Sequence, residues 1–540
     1  MDVALEKLND EYRRCKARCP AALNLSGKRT EYGPRSFPRV LRRGASGPGI
    51  IERDSAAASG SFLLRRAAVC RKQEGKMNME AIIAKIVGAV NDVLWNKQLL
   101  LLFLLLGTGI FYSFRTRFVQ VRKFKEGCSR LFGSFSLNGE KAGKEGMSSF
   151  QALTTAVAAQ VGTGNITGCA TALYSGGPGA IFWMWVSAFF GMATIYGEAV
   201  LAQMYKTVGE DGHVTGGPIY YIRAAFKGGL GKVLSVFFSI AIILALGFMG
   251  NMVQSNSIGD AFHTAFGIPK PAMGLICACI AAFIFLGGIR RLASFTEKLV
   301  PVMACFYIIG GLVILCINHA NLLPAIKSIF VCAFDPQAIF GGVAGLGVKE
   351  AMRFGVARGL FSNEAGMGST PHAHALAKVE KPQDQGVVAM MGVFIDTFIV
   401  LTMTALVILS SGLLEPLKEG GLTGTALAQA AFTKSFGSFG NAFVAICMLF
   451  FAFSTIIGWY FFGETNVKAL FHGSKTARRV YAVIVICFIF VGSFQKVDLV
   501  WDMSDMFNGL MVIPNLLAVL ALSGLAAKAA HGADVGQLKK

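Results

Sequence analysis

Long apolar runs alternate along this chain with short connections rich in Lys and Arg, and run length carries the structural signal. At about 17 to 25 residues per membrane span, the runs predict eleven helices, near 98–114, 150–174, 180–205, 231–262, 271–289, 299–318, 345–376, 387–412, 440–463, 479–495 and 505–526. Residues 324–342 read as a shorter external connection with at most one interfacial helix, and 77–95 as an amphipathic helix. The fold class expected is an all-α polytopic membrane protein.

Two of the runs contain what an uninterrupted helix avoids. In QALTTAVAAQVGTGNITGCATALY (151–174), Gly162, Gly164 and Asn165 fall in the middle. Each glycine costs about 1 kcal/mol against alanine in a helix interior, and a polar amide is disfavoured at hydrocarbon depth. FGVARGLFSNEAGMGSTPHAHA (354–375) repeats the feature, with Ser362, Asn363 and Glu364 ahead of Gly366 and Gly368. Both helices are expected to be broken. Unwound backbone at membrane depth is tolerated only where it is buried in protein or lines a cavity, so each break is a binding-site candidate. The plainer alternative, a small-residue packing face, explains the glycines but not Asn165. Paired interruptions in corresponding positions point to an inverted repeat of five helices each, about 150–318 and 345–526, preceded by one extra helix.

Composition agrees: of 540 residues 54% are hydrophobic and 15% charged, which suits a chain that spans a bilayer repeatedly. The net charge of +20 does not indicate nucleic-acid binding, because the basic residues lie in the first 76 positions or in alternate short loops. Arg115, Arg117, Arg122, Lys123, Lys206, Arg223, Arg290, Arg291, Lys475 and Arg478 place those loops in the cytoplasm, with the N-terminus of the first helix outside and the C-terminus inside. Residues 1–76 lack periodicity and read as disordered and as an upstream-extended or non-native segment; acidic residues such as Glu6, Asp10, Glu11, Glu31, Glu52, Asp54 and Glu74 argue against a mitochondrial presequence. The twelve cysteines show no metal-site spacing, and most read as reduced residues within apolar runs.

The walls of the pocket are expected from the fourth and ninth spans. Asn251 and Gln254 lie one turn apart and can share a face toward a substrate ammonium or carboxylate, and Trp459 can close over its side chain. Ser454 or Thr455 can offer hydroxyl oxygen to a sodium ion whose other ligands are carbonyls from Ala158 to Val161; the alternative is ordinary interhelical hydrogen bonding. Three acids lie within apolar runs. Glu198 reads as pairing with a basic loop residue, Glu364 as a cap or ion contact, and Asp396 as a partner of Lys349, Arg353 or Arg358. His372 and His374 read as interfacial residues, not transition-metal ligands. Enzyme signatures are missing: Gly162-Thr163-Gly164 is followed by Gly168, one position late for a dinucleotide fingerprint, and no Walker motif occurs.

VGTGNITG, GGPGAIFWMWVSAFFGMAT, Thr215 to Ile222 and ARGLFSNEAGMGSTPHAHA together closely resemble the alanine or glycine:cation symporter family of bacteria and archaea, over essentially all of the chain after Met77. The resemblance implies a leucine-transporter-like inverted-repeat fold and sodium-coupled uptake of alanine or glycine across the plasma (inner) membrane. It implies no organic cofactor and no obligatory protein partner. By the same resemblance Thr163, Gly164, Asn165, Gln254, Gly366, Met367, Gly368, Thr455 and Trp459 should surround the substrate. A proton-coupled transporter, a cation channel and a non-transporting amino-acid sensor are the rival readings.

Overall fold

Glycine contacts, caps and proline positions explain where the helices of this chain start, stop and touch. The structure is a computed structural model, described for residues 82–133, 146–209, 212–335, 347–495 and 497–533. The segment 1–76 lies outside the described residues. The chain divides into Met1–Gly88, whose described part is the helical stretch 82–88, and Ala89–Lys540, which holds everything that follows.

The second unit is almost wholly helical. Its helices are α1 (Leu100–Arg115), α2 (Phe124–Gly133), α3 (Ser149–Gln160), α4 (Cys169–Gly176), α5 (Gly179–Met204), α6 (Pro218–Ala225), α7 (Gly229–Phe266), α8 (Lys270–Leu286) and α9 (Gly288–Ile317). There follow α10 (His319–Cys332), α11 (Val348–Asn363), α12 (Pro382–Ser411), α13 (Gly424–Phe436), α14 (Phe439–Leu470), α15 (Lys475–Gly492), α16 (Val497–Ala521) and α17 (Ser523–Ala530). One small antiparallel hairpin, β1 (Thr207–Val208) with β2 (Val214–Thr215), follows α5. Ser148 opens α3 through a capping box with Gln151, and prolines 218 and 382 sit in the first turns of α6 and α12, where a missing N–H costs nothing.

Seven helices among the described residues are long and apolar enough to cross a membrane by themselves. The other four expected spans fall on interrupted or shorter elements: α3 with α4, α8, α11, and α15. Three differences from the expected pattern stand out. The helix allowed for the 324–342 connection is α10, which begins earlier, at His319, and carries Pro324 inside it. Helices α2 and α13 arise in stretches expected to be loops, and α9 starts at Gly288 rather than near 299, because polar residues in its first turns masked its helical character.

Burial sorts the helices. Every residue of α14 from Phe451 to Val467 is buried, the mark of a central helix, whereas α8 and α9 turn Leu275, Phe283, Val302, Ile309 and Leu312 outward as a lipid-facing surface does. Close crossings rest on glycine. A Cβ on Gly109 of α1 would lie 2.8 Å from Phe190 Cβ and 2.9 Å from its backbone, and one on Gly197 of α5 would lie 2.3 Å from the Tyr112 ring. The Tyr112 hydroxyl crosses this contact to donate to the Val519 carbonyl at 2.5 Å. Gly109→Val is therefore expected to push α1 off α5 and cost about 1–3 kcal/mol, the usual toll of overpacking. Thermal unfolding of the detergent-purified protein checks this, and an unchanged midpoint would contradict the close crossing.

Candidate functional site

Both expected breaks are present, and they adjoin each other. Helix α3 ends at Gln160; Val161 leaves helical geometry with φ −78° and ψ 89°, and the chain rewinds through a loosened π-helical turn, Gly164–Gly168, into α4. Helix α11 ends at Asn363, after which Glu364 (φ 57°), Gly366 (φ 90°) and Gly368 (φ 79°) turn left-handed. Glycine carries that geometry freely; Glu364 does so at a cost of order 1–3 kcal/mol, tolerated where surroundings over-determine it. A Cβ on Gly164 would come within 3.0 Å of Ser362 Cα, so the two breaks touch. Helices α7 and α12 also loosen into π-turns, at Ile243–Gly250 and Phe394–Leu401, a distortion common beside functional sites.

Side chains satisfy the backbone freed at each break. At the first, Gly162 N–H donates to Asn165 Oδ1 at 2.9 Å and Thr163 N–H to Gln254 Oε1 at 3.1 Å. At the second, Gly366 and Gly368 N–H donate to the two oxygens of Glu198 at 3.0 and 3.1 Å. Asn515 of α16 donates to Glu198 Oε1 at 2.6 Å and to the Gly366 carbonyl at 2.9 Å, and is itself held by the Tyr221 hydroxyl at 2.5 Å. Glu198 is thus fully buried beside the break and is not paired with a basic loop residue as expected, since backbone donors lie nearer than any cation. Asn515 was not anticipated at all; a polar residue beside Pro514 inside MVIPNLLAV gave the same signal as Asn165.

Asp396 of α12 stitches the breaks together. Its carboxylate accepts from Asn165 Nδ2 at 2.7 Å, Ser362 Oγ at 2.9 Å and Thr397 Oγ1 at 2.9 Å. The expected pairing with Lys349, Arg353 or Arg358 does not form: Arg358 instead binds Asp505 at 2.8 Å and lies over Trp501. Glu364 accepts from Ser369 Oγ at 2.6 Å and from Trp459 Nε1, so its carboxylate caps no backbone N–H. Among the described residues none of the three buried acids has a Lys or Arg partner; hydroxyls, amides and indole stabilise them instead. His372 and His374 are buried rather than interfacial, bonded to Ser369 O with Asn466 and to Gln385 respectively.

The four groups proposed for sodium come together. Ala158 O lies 3.2 Å from Ser454 Oγ and 3.0 Å from Thr455 Oγ1, and Val161 O lies 3.4 Å from Thr455 Oγ1. Both hydroxyls also bond Phe451 O, at 2.8 and 3.0 Å, inside their own helix. A hydroxyl carries one proton, so each of these hydroxyls shares it among the carbonyls around it. Of the substrate candidates, Gln254 reaches Thr163 at the first break and Trp459 reaches Glu364 at the second. Trp459 is fully buried against Gly250, where a Cβ would stand 2.5 Å from its ring, and Phe361 meets it edge-on at 5.5 Å. Asn251 spends its amide hydrogen on Gly247 O at 3.0 Å. Thr163 Oγ1, Gln254 Nε2 and Asn251 Oδ1 are buried with no partner, in a protein interior where nearly all such atoms find one. Gly366 and Gly368 are committed to Glu198, and Met367 N–H to the Glu364 carbonyl at 3.1 Å, which leaves the first break the more available of the two.

Interrupted helices meeting inside a sheath of apolar ones define a multi-pass membrane protein of the transporter class. The chain belongs to the sodium:alanine symporter family, whose model matches residues 79–534. It is 44% identical over 441 residues to the sodium/alanine symporter AgcS of Methanococcus maripaludis, covering 82% of this chain and 95% of that one. It is 41% identical to the probable sodium/glutamine symporter GlnT of Bacillus subtilis, over 82% of this chain and 89% of the relative. The solved structure of MhsT in complex with L-phenylalanine matches 73% of this chain and 98% of its own at 14% identity with a TM-score of 0.51, a likeness of leucine-transporter fold.

The clasp on the second break predicts a graded response. Glu198→Ala leaves two backbone N–H groups and the Asn515 amide without their acceptor, at about 1–3 kcal/mol for each buried group. Glu198→Gln keeps one acceptor oxygen and should lose less. Melting temperatures of the purified variants check the order, and an alanine variant as stable as the parent would remove the clasp.

Proposed function

We propose that this protein carries a small neutral amino acid, alanine or glycine, into the cell together with sodium, by alternating access across the plasma membrane. What supports the reading is a group of unpartnered buried atoms at and beside the first break: two donors, Thr163 O–H and Gln254 N–H, and an acceptor, Asn251 Oδ1, with Gln160 Oε1 a further acceptor at the end of α3. Donors suit a carboxylate and acceptors an ammonium, so the set matches a zwitterion. The choice of alanine or glycine follows the family and the AgcS relative's name, and Trp459 packed on Gly250 is the bulky side chain that would limit the substrate's length.

In this reading Ala158 O, Val161 O, Ser454 Oγ and Thr455 Oγ1 hold the sodium ion, all oxygen donors as a hard cation prefers. Its binding draws α3 to α14 and orders the break on which the substrate docks. Asn165 holds the Gly162 amide and reaches Asp396, so it sets the shape of the break and links it to the second one. Entry of sodium down its gradient, aided by roughly 2.3 kcal/mol per charge per 100 mV, drives uptake. The eleven spans, the five-plus-five inverted repeat with one added helix, and an outer N-terminus with an inner C-terminus complete the proposed topology.

Uptake of labelled alanine and glycine into proteoliposomes tests this. Saturable accumulation that requires an inward sodium gradient is expected; uptake that ignores sodium and collapses with a protonophore would replace the ion, and binding without accumulation would make the protein a sensor. Gln254→Ala should raise the KM for alanine about tenfold or more, the loss of a hydrogen bond to a charged group. Thr455→Val should instead raise the sodium concentration needed for half-maximal uptake, and Asn165→Ala should abolish transport without lowering expression.

A further inference from the structure

Beyond the site, the two broken helices are joined a second time. Met147, two residues before α3 begins, pairs with the strand-like turn after the second break: its N–H donates to Leu376 O at 2.9 Å, and its carbonyl accepts from Lys378 N–H at 2.9 Å. Gly146 makes the approach possible, since with φ 116° a Cβ there would sit 2.3 Å from Leu376 O. From α5, the Gln203 amide nitrogen reaches the carbonyls of His374 at 2.5 Å, Ala377 at 2.9 Å and Ala375 at 3.4 Å. Lys206 Nζ binds Gln203 Oε1 at 2.6 Å and Ala377 O at 3.0 Å. Across the same knot Ser149 Oγ donates to Gln385 Oε1 at 2.7 Å, and Gln385 Nε2 meets His374 Nδ1 at 2.8 Å. Immediately beyond lies a cavity of 530 Å³ lined by Thr207, Val208, Thr215, His372, Leu376 and Phe461, among others.

We propose that the pairing of Met147 with Leu376–Lys378 is the closed gate on the membrane face that bears the basic loops, and that Gln203 is the residue that positions it. The inference rests on the alternating-access reading. Its physical basis is an asymmetry in how the two sides of the joint are held. The turn after the second break is fastened to α5 by Gln203 and Lys206, whereas the start of α3 is held to the turn by two backbone hydrogen bonds and to α12 by the Ser149–Gln385 contact. A strand pairing this short is marginal without support. Separation at Met147 therefore breaks few bonds, exposes the knot to the adjoining cavity, and leaves the second break fastened to α5.

A disulfide tests it. In the Met147→Cys/Ala377→Cys double variant, mild oxidation should join the two positions and stop sodium-driven alanine uptake, with reductant restoring it; each single variant should be indifferent to oxidant, which excludes the native cysteines. Uptake at the parent rate by fully crosslinked protein would overturn the proposal, as would failure of the pair to crosslink. Should the double variant not fold, the single Met147→Cys variant serves as a reporter. Its labelling by a soluble maleimide should run about tenfold faster when Gln203→Ala is added, because a buried amide with several partners has been removed, while alanine binding is retained; equal labelling rates would overturn the role of Gln203. Crosslink formation and labelling rates need no transported solute, so they report on the pairing and on Gln203 even if alanine proves the wrong substrate.

Discussion

A backbone that leaves helical geometry inside a membrane protein must find hydrogen-bond partners there, because no water is at hand to supply them. Here the need arises twice, at Val161–Gly162 and at Glu364–Gly368, and side chains from four other helices help to meet it. Gln254 arrives from α7 and Glu198 and Asn515 from α5 and α16, each to a backbone group, while Asp396 of α12 holds the side chain of Asn165, which itself accepts from the Gly162 N–H. Each of these is a polar or acidic residue buried at a depth where it would be expensive without the break, and each break would be expensive without it. The two costs offset one another, which is why polar residues and glycines occur together in an otherwise apolar chain.

The two breaks are not satisfied equally. At the second, the Glu198 carboxylate takes up the available N–H groups, and Asn515 secures the geometry from the other side. At the first, Asn165 and Gln254 cover two amides, but Gln160 Oε1, Thr163 Oγ1, Asn251 Oδ1 and Gln254 Nε2 stay unmatched, against Thr370 Oγ1 just past the second. That inequality gives the breaks different parts in the proposed cycle: one braced, one waiting for a ligand. Asp396, bonded to Asn165 and Ser362 together, carries a change at one to the other.

Much of this was legible in the sequence, and the parts that were not have physical reasons. Glycines beside Asn165 and beside Glu364 announced both interruptions, because propensity and the cost of polarity at depth point the same way. The convergence of Ser454 and Thr455 on Ala158 and Val161 followed from pairing a broken helix with its opposite wall. Partners of the buried acids were misjudged by matching charge to charge. Glu198 was drawn toward basic loop residues, and Asp396 toward Arg358, when neutral donors stood closer in three dimensions and Arg358 had Asp505. Asn515 depends on contacts between segments more than 100 residues apart, such as that with Gly366, which local pattern does not encode. Helices α2 and α13 lie outside the expected spans because they are short, and span-length windows do not register them.

Hydrogen–deuterium exchange of the purified protein tests the central claim most directly, that the two breaks are a single ligand-ordered unit. Addition of sodium and alanine together should slow exchange in peptides spanning residues 158–168 and 362–370, more than either alone, with little change in α8 and α9. Unchanged exchange at both breaks, or protection spread evenly over all helices, would contradict the account.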